Sequence, residues 1–95
     1  MYMSGKKYIA IHNRIPTIIS FDSETMKVLV PLDWTVGYLM SQIRNKIKLM
    51  SNESIYVLAN NKLVSQLVTI EDAYDMYKDD EGYLRLLFCR ENTFG

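Results

Sequence analysis

TIISFDSETMKVLVP, residues 17 to 31, decides the fold. Thr17 to Phe21 is a β-branched, apolar run, which is strand composition. Asp22-Ser23-Glu24 is turn chemistry. Lys27 to Val30 (KVLV) reads as a second strand, and Pro31 stops its ladder by removing a donor. Two strands with so short a polar connection predict a hairpin. Upstream, Arg14-Ile15-Pro16 closes an initial segment, and Met3 to Ile11 fits either a short helix or extended chain.

Downstream, Asp33 or Thr35 can cap a helix. Val36, Leu39, Met40, Ile43 and Ile47 recur at helical spacing and make one apolar face, with Arg44, Lys46 and Lys48 off it. Ile55 to Ala59 is a third strand, Asn60-Asn61 a turn that tolerates positive φ, and Lys62 to Val64 a short edge strand. Thr69 followed by Asp72 resembles a capping box and predicts a short helix over Ile70 to Tyr77. Asp79 to Gly82 is a turn, Tyr83 to Cys89 a strongly apolar closing strand, and Arg90 to Gly95 a polar tail. This order predicts an α+β chain of β-grasp, or ubiquitin-like, type. One long helix packs across a mixed sheet and a second, short helix follows. The right-handed crossover rule places the last strand beside the first, in parallel. The expected organisation is one domain over residues 1–95: a short segment 1–13, a core 14–89 and a tail 90–95.

Composition narrows the function. Formal net charge is zero, which argues against bulk attraction to nucleic acid. Cys89 is the sole cysteine and His12 the sole histidine, so no internal disulfide forms and a reducing, cytoplasmic setting is expected. There is no apolar run of membrane-spanning length and no signal peptide pattern. No zinc spacing, EF-hand loop or phosphate loop appears, so no metal or cofactor is expected. Cys89 and His12 could serve as nucleophile and base only if the fold joined them, so an enzyme is not expected.

Several stretches resemble the autophagy-related protein 8 family, which includes the GABARAP and light-chain-3 types. They are Arg14-Ile15-Pro16, Lys27 to Pro31, Thr35-Val36-Gly37, Ile43 to Leu49, Asn60-Asn61, Lys78 to Leu84 and the ending Glu91-Asn92-Thr93-Phe94-Gly95. The resemblance covers roughly Arg14 to Gly95, and KDDEGYL together with ENTFG is its most specific part. The departures are equally concrete. Only about a dozen residues precede Arg14, where the family usually carries two helices. The first connection is shorter than usual, Trp34 replaces a typical leucine, and Gln42 stands where an apolar residue is common. Phe88-Cys89 is similar to the autophagy-related protein 12 family, a sister modifier joined to a protein rather than a lipid.

The resemblance implies a mechanism. An E1-like activating enzyme adenylates the carboxylate of Gly95, an E2-like conjugating enzyme takes it as a thioester, and an amine then receives it. Glycine suits this because it lacks Cβ and passes a narrow channel behind Thr93 and Phe94. A deconjugating cysteine protease is the expected counterpart. The sequence ends at Gly95, so the family's usual proteolytic trimming is either unnecessary or already accomplished. The implied acceptor is phosphatidylethanolamine, giving a cytoplasmic protein with a lipid-anchored fraction on autophagosomal membranes.

The implied binding surface takes cargo receptors or adaptors through aromatic-x-x-aliphatic motifs. Pro16, Ile18, Lys27, Leu29 and Tyr83 would line the aromatic pocket. Val28, Val30, Pro31, Leu39 and Ile43 would line the aliphatic one, and Lys27 and Lys46 would attract acidic residues. Independently of the resemblance, the Lys27 to Val30 strand should lie at a sheet edge, where another strand can add. Ile18, Leu29 and Ile43 fit ordinary core equally well. Conjugation to a protein lysine and an unconjugated docking domain are the alternatives.

Overall fold

The computed structural model describes residues 13–46 and 53–92. The elements are β1 (Arg14–Phe21), β2 (Glu24–Pro31), α1 (Val36–Lys46), β3 (Glu53–Ala59), β4 (Lys62–Leu63), α2 (Ile70–Tyr77) and β5 (Leu84–Asn92). They form a five-stranded sheet in the order β2-β1-β5-β3-β4. β1 and β5 run parallel in its centre, and the other pairs are antiparallel. The expected hairpin, crossing helix and central parallel pair are all present. Met3 to Ile11, His12, Ile47, Lys48 and Thr93 to Gly95 lie outside the described residues.

The hairpin is tighter than the sequence suggests. Phe21 pairs with Glu24 around a two-residue turn, Asp22-Ser23, with φ of 50° and 69°. Positive φ at both positions gives a turn whose twist matches that of the strands it joins. β1 begins at Arg14, three residues before the expected Thr17, and includes Pro16. Pro16 is tolerated for two reasons. Pairing with β5 begins only at Thr17. In addition, alternation from the bonded Phe21–Glu24 pair makes Pro16–Leu29 a non-hydrogen-bonded pair, so its missing N–H costs β2 nothing.

Alternation divides the sheet into two faces. Ile15, Ile19 and Phe21 of β1, Val30 of β2, Ile55, Val57 and Ala59 of β3, and Leu84, Leu86 and Phe88 of β5 pack against α1 and α2. The helices contribute Val36, Leu39, Met40, Ile43, Ile70, Ala73 and Tyr74. The second helix has the bounds its capping signal predicted. Thr69 is the N-cap, and its hydroxyl accepts from the Asp72 N–H at 3.1 Å. Fully buried Tyr74 donates through its phenol to the Gly82 carbonyl at 2.8 Å, tying the helix to the turn before β5.

The closing strand departs most from expectation. It begins at Leu84 rather than Tyr83 and continues through Arg90, Glu91 and Asn92, which read as tail in the sequence. These three pair with Ile55, Ser54 and Glu53 of β3. Arg90 also clasps Asp22 of the hairpin turn through Nη2 at 2.7 Å and Nε at 3.1 Å, and its guanidinium lies 4.9 Å from the Phe21 ring centroid. Among the described residues no helix is long and apolar enough to cross a membrane.

Candidate functional site

β2 is a sheet edge among the described strands. Alternation from the hairpin turn directs the main-chain groups of Met26, Val28 and Val30 toward β1. It leaves those of Thr25, Lys27 and Leu29 pointing outward. Pro31 offers no N–H, so the run of outward donors ends at Leu29. An added strand therefore has a defined place to bond, centred on Lys27 and Leu29.

The side chains of β2 alternate between two surfaces. Lys27 and Leu29 stand on the sheet face away from the helices, beside Ile18 and Pro16, their cross-strand partners. Leu29 is 57% exposed, so it is not core. Ile18 is buried yet lies outside the helix-side core cluster, between Lys27 on one side and Arg85 on the other. The Lys27 ammonium lies 5.5 Å from the centroid of the Tyr83 ring. Pro16, Ile18, Lys27, Leu29 and Tyr83 thus come together as an apolar floor with a cation at its rim.

Tyr83 is held in place by a residue the sequence reading treated as one of several solvated acids. Asp79 Oδ1 accepts the main-chain N–H groups of Glu81 and Tyr83, both at 2.9 Å, and Oδ2 accepts from Arg85 Nε at 2.6 Å. Partial burial pushes the Asp79 carboxyl up. The Tyr83 N–H, Arg85 and the Glu81 N–H outweigh that and hold it below the usual aspartate value. The signal was present in the sequence: an Asp opening a turn hydrogen-bonds the backbone two residues on.

On the helix side, Val28 and Pro31 are half-buried, and Val28 packs against the core cluster that contains Leu39 and Ile43. Val30, Leu39 and Ile43 are 2%, 3% and 5% exposed and belong to the core, so they form the bottom of this groove rather than a free surface. Lys46 is exposed at the C-terminal end of α1. Trp34 packs edge-on against Tyr38 at the N-terminal end, with ring centroids 4.7 Å apart.

Cys89 is half-buried on β5 opposite Tyr56, and contact with the thiol pushes the Tyr56 phenol above its ordinary value. His12 lies outside the described residues. Among the described residues no cluster of His, Cys, Asp and Glu has the makings of a metal site.

A family model described as "Autophagy protein Atg8 ubiquitin like" matches residues 5–95. The chain belongs to the Atg8 family. The match begins nine residues before Arg14, where the sequence resemblance had started. Autophagy-related protein 8 of Kluyveromyces lactis is 36% identical over 91 residues, covering 88% of this chain and 73% of that protein. The Lodderomyces elongisporus protein of the same name is 44% identical over 69 residues, covering 73% of this chain. This chain spans only 47% of that relative's length. The crystal structure of Trypanosoma brucei ATG8 superposes with a TM-score of 0.77 at 30% identity, covering 95% of this chain and 84% of that one. The fold is accordingly the ubiquitin-like β-grasp of the Atg8 family.

Proposed function

We propose that this Atg8-family chain is a conjugated modifier. Gly95 is joined to phosphatidylethanolamine by the E1-like and E2-like enzymes, and the anchored protein recruits receptors through the β2 edge. The observation that carries the docking half is the alternation of β2. A strand added to this edge also has a side-chain period of two. Anchors three residues apart therefore point to opposite faces. One meets the open-face site of Pro16, Ile18, Lys27, Leu29 and Tyr83, and the other meets the groove between β2 and α1. An aromatic-x-x-aliphatic motif has that spacing. Lys27 and Lys46 supply attraction for flanking acidic residues. Two features support the conjugation half. Gly95 follows β5 by three residues, and covalent lipid supplies membrane affinity without a spanning helix.

The test is reconstitution with cognate activating and conjugating enzymes, ATP and liposomes containing phosphatidylethanolamine. Wild type gains a lipid-sized mass and floats with the liposomes. Deletion of Gly95 abolishes this without unfolding the domain, and Cys89→Ser does not. Lipidation of the deletion variant overturns the mechanism, and an adduct on a protein lysine instead moves the chain to the protein-conjugated alternative. A parallel titration with an acidic, aromatic-anchored peptide loses affinity in Lys27→Glu, and the loss shrinks at high salt. Unchanged affinity at low salt removes Lys27 from the site.

A further inference from the structure

The buried stripe of α1, Val36, Leu39, Met40 and Ile43, separates two flanks of the helix. One flank faces β3 and β4. The Gly37 N–H donates to the Gln66 carbonyl at 2.9 Å, and Met40 borders a hollow lined by Val57, Val64 and Gln66. At 3.6 residues per turn, Gln42 and Lys46 fall on the opposite flank, next to Leu39 and Ile43. The sheet order places β2 on that side. Gln42 is half-buried there, and its carboxamide has no hydrogen-bond partner among the described residues. The apolar cluster that includes Val28, Val30, Leu39 and Ile43 therefore has one solvent-accessible carboxamide at its border.

We infer that Gln42 sets which side chain the groove accepts: the helix-side anchor of a docked strand has an apolar stem and an oxygen at its tip, as in glutamine, glutamate or threonine. This rests on the docking reading above. The stem is required by the aliphatic floor. The tip is required because an all-hydrocarbon anchor strips water from the Gln42 amide and returns nothing, which leaves a desolvated donor. Lys46 lies one turn further along the same flank and has donors only, so both polar neighbours ask for an acceptor. The acidic residues that suit Lys27 and Lys46 are consistent with the same polarity.

Two synthetic peptides decide it. Both carry acidic residues and an aromatic anchor, and they differ only three positions later, in leucine or glutamine. Each is titrated by fluorescence anisotropy against wild type, Gln42→Leu and Gln42→Glu. Wild type prefers the glutamine peptide by about fivefold, the value of one neutral hydrogen bond. Gln42→Leu reverses the preference, and Gln42→Glu keeps it, because its carboxylate accepts from the N–H groups of the peptide's glutamine. A leucine preference in wild type, or one ratio shared by all three proteins, overturns the inference while leaving docking intact. Failure of both peptides to bind wild type overturns the docking reading and the inference together. If Gln42→Leu does not fold, the wild-type ratio and Gln42→Glu still decide.

Discussion

Ile43→Ala and Leu29→Ala remove the same kind of side chain from two walls of one candidate site, and they have opposite consequences. Ile43 is 5% exposed and sits in the core beneath α1. Truncating it removes transfer energy and leaves a cavity, for a cost of about 2–5 kcal/mol. A domain of this size has about 5–15 kcal/mol to lose. Leu29 is 57% exposed, so less than half of its surface is out of water. Its three extra carbons are worth about 1 kcal/mol there, with no cavity to add. Urea unfolding followed by circular dichroism separates the two. With a slope of about 1 kcal/mol per molar, Ile43→Ala lowers the midpoint by roughly 2 M or more and Leu29→Ala by about 1 M or less. Peptide affinity separates them too: Leu29→Ala weakens binding with only a small change in midpoint, and Ile43→Ala lowers the midpoint far more than it lowers the affinity of the folded fraction. If the two variants unfold at the same midpoint, Ile43 is not buried as described, and the division of the candidate site into core and accessible members is wrong.

Thr69→Ala removes the hydroxyl that accepts the Asp72 N–H, and thermal unfolding should show a loss of about 1 kcal/mol, largely restored by Thr69→Ser. Acid sensitivity follows from two carboxylates. The hydrogen bond from Arg90 holds Asp22 below its ordinary value against a small upward push from burial, and Asp79 is lowered as described. Both folded values lie below the unfolded one of 3.8, so the unfolded chain takes up the protons first. Their stabilisation is complete above that value and is lost as pH falls through it toward the depressed folded values. Thermal midpoints should stay level down to about pH 5 and fall below about pH 4, and Asp79→Ala should show a shallower fall. An equal fall in the variant removes Asp79 as a contributor.

The sequence yielded most where one local rule acted without competition. α2 came out at its expected bounds because Thr69 caps its start and its apolar positions, Ile70, Ala73 and Tyr74, keep helical spacing. The β1–β2 hairpin and the parallel pairing of the last strand with the first followed from the turn residues and the crossover rule. The misreadings have a common origin in partners distant along the chain. Arg90 to Asn92 are polar, and only the β3 residues opposite them and the Asp22 carboxylate make them strand. Pro16 reads as a break until the pairing shows that neither neighbour needs its N–H. At the site, the β2 edge was legible in the sequence, whereas Leu29 read equally well as core until its 57% exposure was known. Which apolar members were floor and which were wall was not legible. Periodicity gives a face but not what covers it, so Leu39 and Leu29 look alike until their exposure is known. The role of Asp79 was hidden among neighbouring acids, and it emerges only from the two N–H groups and the guanidinium that converge on it.

The parallel pairing of β1 with β5 has a consequence for how this protein is made. Thr17 to Ser20 sit beside Leu84 to Leu87, so the central seam of the sheet joins the first described strand to the last. A nascent chain on the ribosome can form the β1–β2 hairpin early, but an isolated two-stranded hairpin is marginal in water. The interior residues Leu84, Leu86 and Phe88 arrive last. Until β5 clears the exit tunnel, Ile15, Ile19 and Phe21 have no neighbour along that edge and α1 has only part of a sheet to cover. A chain still lacking β5 is therefore an incomplete half with exposed apolar surface, prone to aggregate, and folding awaits that strand. A stop codon before Leu84 should yield a chain that is degraded rather than a shortened but working domain.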